Sequence, residues 1–177
     1  MFFLTTSQCE AEARAYGISS KDLAKWKEKP RHRKKWPAEL FFGDPPILAY
    51  ELAGVIASWL HDFDHVVFWV VENGIWHENL HLYYRLKASY GDFRQLGDAR
   101  GHYFHSFERA DLVTFLHLAL EFGWGGYLLS ADTRMFISHD GWLVVYSETQ
   151  RERILKDIRT WDIRTPKGET QRKRGTA

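Results

Sequence analysis

Apolar positions in this chain recur with helical spacing in six stretches and run consecutively in several shorter ones. "TTSQCEAEARAYG" predicts a first helix, capped by Ser7 with Glu10 at the capping-box position and stopped at Gly17. "SSKDLAKWKEKP" repeats that grammar, with Ser19 followed by Asp22 and a stop at Pro30. In "ILAYELAGVIASWLHDF", Leu48, Leu52, Val55, Ile56, Trp59 and Leu60 fall on one helical side. "HENLHLYYRLKASYG" and "ERADLVTFLHLALEFG" are the next two helices. The second has a stripe of Leu112, Phe115, Leu116, Ala119 and Leu120, and Gly123 ends it. Residues 149–162 read as a charged amphipathic helix.

"HVVFWVV" is β-branched and aromatic without alternation, the pattern of a buried central strand. "AELFFG", "GYLLSAD" and "RMFISHD" are further strands, the last two turning near Ala131-Asp132-Thr133. "DGWLVVYSET" fits either a helix capped by Ser138 or another strand. "GDFRQLGDARGHYFHSF" is read as irregular. The expected fold class is α/β or α+β: a single mixed sheet of about four strands flanked by helices, with an N-terminal helical hairpin. The expected division is a basic helical segment at 1–37, a core at 38–162 and a disordered basic tail at 163–177.

Composition sharpens this picture. At 177 residues, the chain has the length of one ordinary domain. Its 28 Phe, Trp and Tyr residues exceed what one core of this size needs, which points to rings at a groove or an interface. One cysteine, Cys9, and the lack of a secretory leader pattern fit a soluble, cytoplasmic protein without disulfides. No apolar run reaches membrane-spanning length. The net charge of +1 conceals an acidic body: residues 36–150 carry six Lys/Arg against fifteen Asp/Glu, between two basic ends.

Three patterns bear on chemistry. His77-Glu78-Asn79-Leu80-His81 is H-E-x-x-H. On a helix this places His77 and His81 on one face to hold zinc, with Glu78 as general base. Asn73 and Gly74 put His77 in a first helical turn, whereas such sites lie inside long helices. None of His102, His105, His117 or Glu121 forms a recognised third-ligand signature. No cofactor is therefore expected, zinc hydrolysis being the alternative.

The second pattern is a basic run with indoles: Lys25, Trp26, Lys27, Arg31, Arg33, Lys34 and Lys35 could track a nucleic-acid backbone. The acidic body opposes that. The third is Gly123-Trp124-Gly125-Gly126, which lacks any phosphate-loop spacing and reads as a helix stop.

"VVFWVVENGIWHENLHLYYRLKASYGD", then "GH", then "FGWGGYLLSADTRMFISHD" resemble a group of small uncharacterised bacterial proteins of unknown activity, over about residues 65–146. The group has no agreed activity, so the resemblance carries over no catalytic residues. Some members have the look of immunity partners of bacterial toxins: compact, cytoplasmic, acidic and aromatic. The resulting expectation is a non-enzymatic interaction protein steered onto a basic partner protein, with Trp76, Tyr83, Tyr84 and Trp124 as candidate anchors.

Overall fold

The computed structural model describes residues 1–27, 38–41, 48–60, 62–72, 80–147 and 149–161. In chain order the elements are β1 (Phe2–Leu4), α1 (Thr6–Ala15), α2 (Ser20–Lys27), β2 (Ala38–Phe41), α3 (Ala49–Ser58), β3 (His65–Glu72), α4 (Leu80–Ser89), β4 (Gly101–His105), α5 (Arg109–Glu121), β5 (Gly125–Leu129), β6 (Thr133–Ile137), β7 (Trp142–Ser147) and α6 (Arg151–Thr160). A 3-10 turn at Ser106–Glu108 leads into α5.

Local chemistry sets the helix ends. Ser19 and Asp22 exchange hydrogen bonds across the first turn of α2: the Ser19 amide donates to Asp22 Oδ2 at 3.0 Å, and the Asp22 amide donates to Ser19 Oγ at 3.2 Å. α1 begins two residues earlier than its sequence suggested. Its cap is Thr5, not Ser7, and Gln8 returns the bond to the Thr5 amide at 2.8 Å. The shift follows from β1, which ends at Leu4 and leaves Thr5 as the last extended residue before the helix. α5 closes with a Schellman arrangement: the Trp124 amide donates to Ala119 O at 2.8 Å and the Gly123 amide to Leu120 O at 3.2 Å. Gly123 takes φ +60°, where a side chain is unfavourable.

The described strands form one seven-stranded sheet of order β1-β4-β3-β5-β6-β7-β2, and every neighbouring pair among them is antiparallel. The expectation of about four strands in a mixed sheet is thus corrected. The molecule is α+β, with β1 and β4 added from stretches that show no strand pattern. "DGWLVVYSET" resolves as strand β7, so Ser138 caps no helix. Its hydroxyl instead accepts from the Asp140 amide at 3.2 Å inside the β6–β7 turn.

Helices cover both faces. Val66, Phe68, Val70, Phe104, Leu128, Met135, Ile137, Leu143 and Val145 meet α3, α4, α5 and α6. Fully burying a large apolar side chain contributes roughly 1.5–3 kcal/mol. This face therefore supplies most of the stabilisation, with Leu112, Phe115, Leu116 and Ala119 of α5 inserted as their spacing predicts. On the opposite face, Cys9, Ala13, Ile18 and Leu23 pack on Val67, Trp69, Tyr127, Leu129, Phe136, Trp142 and Val144. Within the segment read as an N-terminal helical hairpin, both helices are present and lie on the sheet. Tyr127 donates to Leu23 O at 2.6 Å, and Arg134 to Tyr16 O at 2.9 Å. Gly101 permits this approach, because a Cβ there would stand 2.2 Å from Cys9 Sγ and 2.8 Å from Leu4 Cβ. No described helix is long and apolar enough to cross a membrane.

Candidate binding face

α1 and α2 cover only part of their sheet face. Where α1 ends, the side chains that point outward from β1, β3 and β4 form a continuous run of rings. Tyr16 stacks on His65 at 5.7 Å between centroids, and His65 stacks on Tyr103 at 4.8 Å and 13°. Tyr103 meets His105 edge-on at 5.1 Å, and His105 stacks on Phe107 at 5.3 Å and 9°. Phe2 packs edge-on to His105 at 5.7 Å. Register explains the run: Phe2 lies opposite Tyr103, Val67 opposite Tyr103 on the other side, and His65 opposite His105, so alternation sends all of them to one face. Phe2 and Phe107 remain 60% and 81% exposed. Exposed Phe rings gathered in one run mark an interaction surface more than scattered ones do.

The run leads into a cavity of about 340 Å³. Four connections form it: the end of α1 (Tyr16), the α3–β3 loop (Asp62, Asp64), the β5–β6 turn (Asp132) and the β7–α6 loop (Thr149). They converge because the antiparallel sheet brings the start of β3 and β6 and the end of β5 and β7 to one edge. Asp62 holds φ +34°, uncommon outside glycine though tolerated by Asp. Asp132 accepts from the Thr149 hydroxyl, and from Ser130 Oγ at 3.4 Å. Behind it, Thr133 donates to Ser147 Oγ at 2.9 Å, and the Gln150 amide bonds the same oxygen at 3.0 Å, which pins the walls.

Among the described residues, the lining includes three Asp, His65 and no Lys or Arg. His65 Nε2 lies 3.6 Å from Glu12. The Tyr16 hydroxyl is buried with no hydrogen-bond partner among the described residues, and burial pushes its phenol upward. Carboxylates beside ring faces favour a cationic group, which gains both charge pairing and cation–π attraction there.

The structure distributes the residues singled out from sequence. Tyr83 and Trp124 are 0% and 1% exposed and meet at 5.0 Å and 84° in the core, so neither offers a ring to a partner. That corrects their selection as anchors: α4 turns Tyr83 inward, and the Schellman turn after α5 does the same for Trp124. Tyr84 is half-buried and donates to Gln95 Oε1 at 2.9 Å. Trp76, His77 and Glu78 lie outside the described residues. So do Arg31, Arg33, Lys34 and Lys35. His81 is exposed on α4, and Lys25 and Lys27 are exposed on α2; Trp26 packs partly against the core.

Of the other histidines considered as ligands, His102 is fully buried between Tyr83 and Phe68 O, His105 lies in the ring run, and His117 pairs with Glu121 at 3.5 Å. Among the described residues, no three His, Cys, Asp or Glu form a group that could hold a metal.

Sequence reasoning missed the ring run because Phe2, Tyr103, His105 and Phe107 come from stretches with no strand pattern. The aromatic excess was its one signal.

Lys87 is also buried, its ammonium 3.3 Å from Asp92 and 4.7 Å from the centre of the Phe3 ring. Burial lowers the lysine's pKa, and the Asp92 charge opposes that. Burial would raise Asp92, but hydrogen bonds from Arg94 and the Lys87 charge outweigh it and hold the carboxyl at about 2. No protein-family model, no curated protein and no solved structure matches this chain.

Proposed function

We propose that this protein is a non-enzymatic binding module that docks a basic segment of a partner protein on the ring run and the adjoining cavity. One observation carries the reading: a ring run that ends in exposed Phe2 and Phe107 leads, through His65 and Tyr16, to a cavity lined by Asp62, Asp64 and Asp132, with no Lys or Arg among its described lining residues. Rings supply contact area at little entropic cost, and carboxylates select a cation. The acidic balance of residues 36–150 adds long-range steering. The resemblance of about residues 65–146 to a group of small bacterial proteins, some of which have the look of immunity partners of bacterial toxins, adds a basic toxin surface as the proposed partner and the cytoplasm as the proposed compartment.

The test is a titration with an oligoarginine peptide followed by amide chemical shifts, with an oligoglutamate peptide as control. Shifts should gather at residues 62–65, 103–107 and 131–132, weaken as salt rises, and vanish in Asp64→Asn/Asp132→Asn. Shifts spread evenly over the surface, or unaffected by the double substitution, would overturn it.

A further inference from the structure

The outer edge of β1 carries a self-complementary pair of backbone groups. In the ladder between β3 and β4, the Val70 amide donates to Arg100 O and the Ser106 amide to Asp64 O, both at 3.0 Å. Alternation in an antiparallel pair then turns the peptide groups of His102 and Phe104 toward β3, and those of Gly101 and Tyr103 toward β1. Their partners on β1 are Leu4 and Phe2. Phe3, between them, directs both its N–H and its C=O away from the sheet.

That carbonyl is occupied. Arg94 Nη2 donates to Phe3 O at 2.8 Å. The guanidinium is held by Asp92, which also accepts from Arg94 Nε at 2.9 Å and from the Arg94 amide at 2.9 Å. Asp92 in turn lies against the buried Lys87 ammonium. Arg94 thus reaches across an edge that no described strand covers, with its side chain still 45% exposed.

We infer that the β1 edge fits a second copy of this chain, and that Arg94 keeps it shut. Two β1 strands related by a two-fold axis through Phe3 would exchange both hydrogen bonds using Phe3 alone. Phe2 of each copy would then face Leu4 of the other, an apolar cross-strand pair. A charged side chain laid on an edge is a known means of preventing such joining. This inference concerns the backbone edge and does not rest on the proposed function; the two surfaces share Phe2, which lies both on β1 and in the ring run.

Sedimentation velocity over a concentration series tests it on the full chain. Wild type and Arg94→Lys should sediment as one species of 20.9 kDa. Arg94→Ala should move toward twice that mass with concentration, and adding Phe2→Lys should restore the monomer. Three outcomes overturn the inference: a folded Arg94→Ala chain that stays monomeric, an Arg94→Ala dimer that survives Phe2→Lys, or wild type associating as strongly as Arg94→Ala. If Arg94→Ala does not fold, amide exchange of the wild type decides. The Phe3 amide should exchange faster than those of Phe2 and Leu4, and protection of Phe3 equal to theirs overturns the inference.

Discussion

The phenol of Tyr83 and the imidazole of His102 meet at 2.9 Å inside the core. His102 Nδ1 lies 3.2 Å from Phe68 O, a group that only accepts, so Nδ1 carries the proton. Nε2 of the neutral ring then accepts from Tyr83. Each ring nitrogen is used once, and a second proton on Nε2 would force the phenol to turn from donor to acceptor while placing a charge in the core.

Stability should therefore fall in acid. Burial pulls His102 from its ordinary value near 6.5 down to about 3. Between those values the unfolded chain binds the proton and the folded chain does not, so stability is lost as pH drops through that window. The slope approaches about 1.4 kcal/mol per pH unit. Urea unfolding at several pH values measures it, and imidazole NMR should show His102 still neutral where exposed histidines have titrated. A protonated His102 in the native state at pH 5 contradicts this account.

Tyr83→Phe keeps the ring packing against Trp124 and Phe115 and removes only the donor. It leaves Nε2 buried without a partner, at a cost of about 1–3 kcal/mol. A Tyr83→Phe midpoint equal to wild type would show that the hydrogen bond contributes nothing.

Trp124→Ala and Phe107→Ala should separate core from surface. Trp124 is enclosed by Tyr83, Phe115 and Phe122, so its removal costs about 3–5 kcal/mol. Phe107 faces solvent, and its removal changes stability by no more than about 0.5 kcal/mol while weakening peptide binding. Denaturation of both variants, with a peptide titration of the second, checks the pair.

Gly101→Ala should destabilise and loosen the N-terminal elements. A methyl group there meets Cys9 Sγ and Leu4 Cβ, which belong to α1 and β1. Amide protection in residues 2–15 should drop before that of β5 and β6. Uniform loss of protection would mean that α1 and β1 do not open separately.

His139 has the opposite sign from His102. Its Nδ1 lies 2.9 Å from Glu72 Oε2, and that hydrogen bond raises its pKa, with Asp140 at 3.3 Å adding to it. The contact's contribution is present below the unfolded value and fades as pH rises through the folded one. In Glu72→Gln the His139 titration should move down, as read by NMR; an unmoved midpoint would remove Glu72 as the cause.

The chain's order alone determined the elements whose information is local. α2 follows from Ser19 and Asp22, α5 from its stripe and Gly123, and β3 from a β-branched run. Each rests on contacts within a few residues, and such contacts are written in spacing. β1 and β4 carry no comparable signal. They are strands because Phe2–Leu4 and Gly101–His105 pair with each other, a hundred positions apart, and because β3 lies beside β4. Tertiary structure likewise decided that the described strands pair antiparallel, that Tyr83 and Trp124 turn inward, and that Tyr16, Asp62, Asp132 and Thr149 line one cavity. The physical reason is that burial and convergence depend on which distant surfaces meet, and hydropathy at a single position does not record its partner.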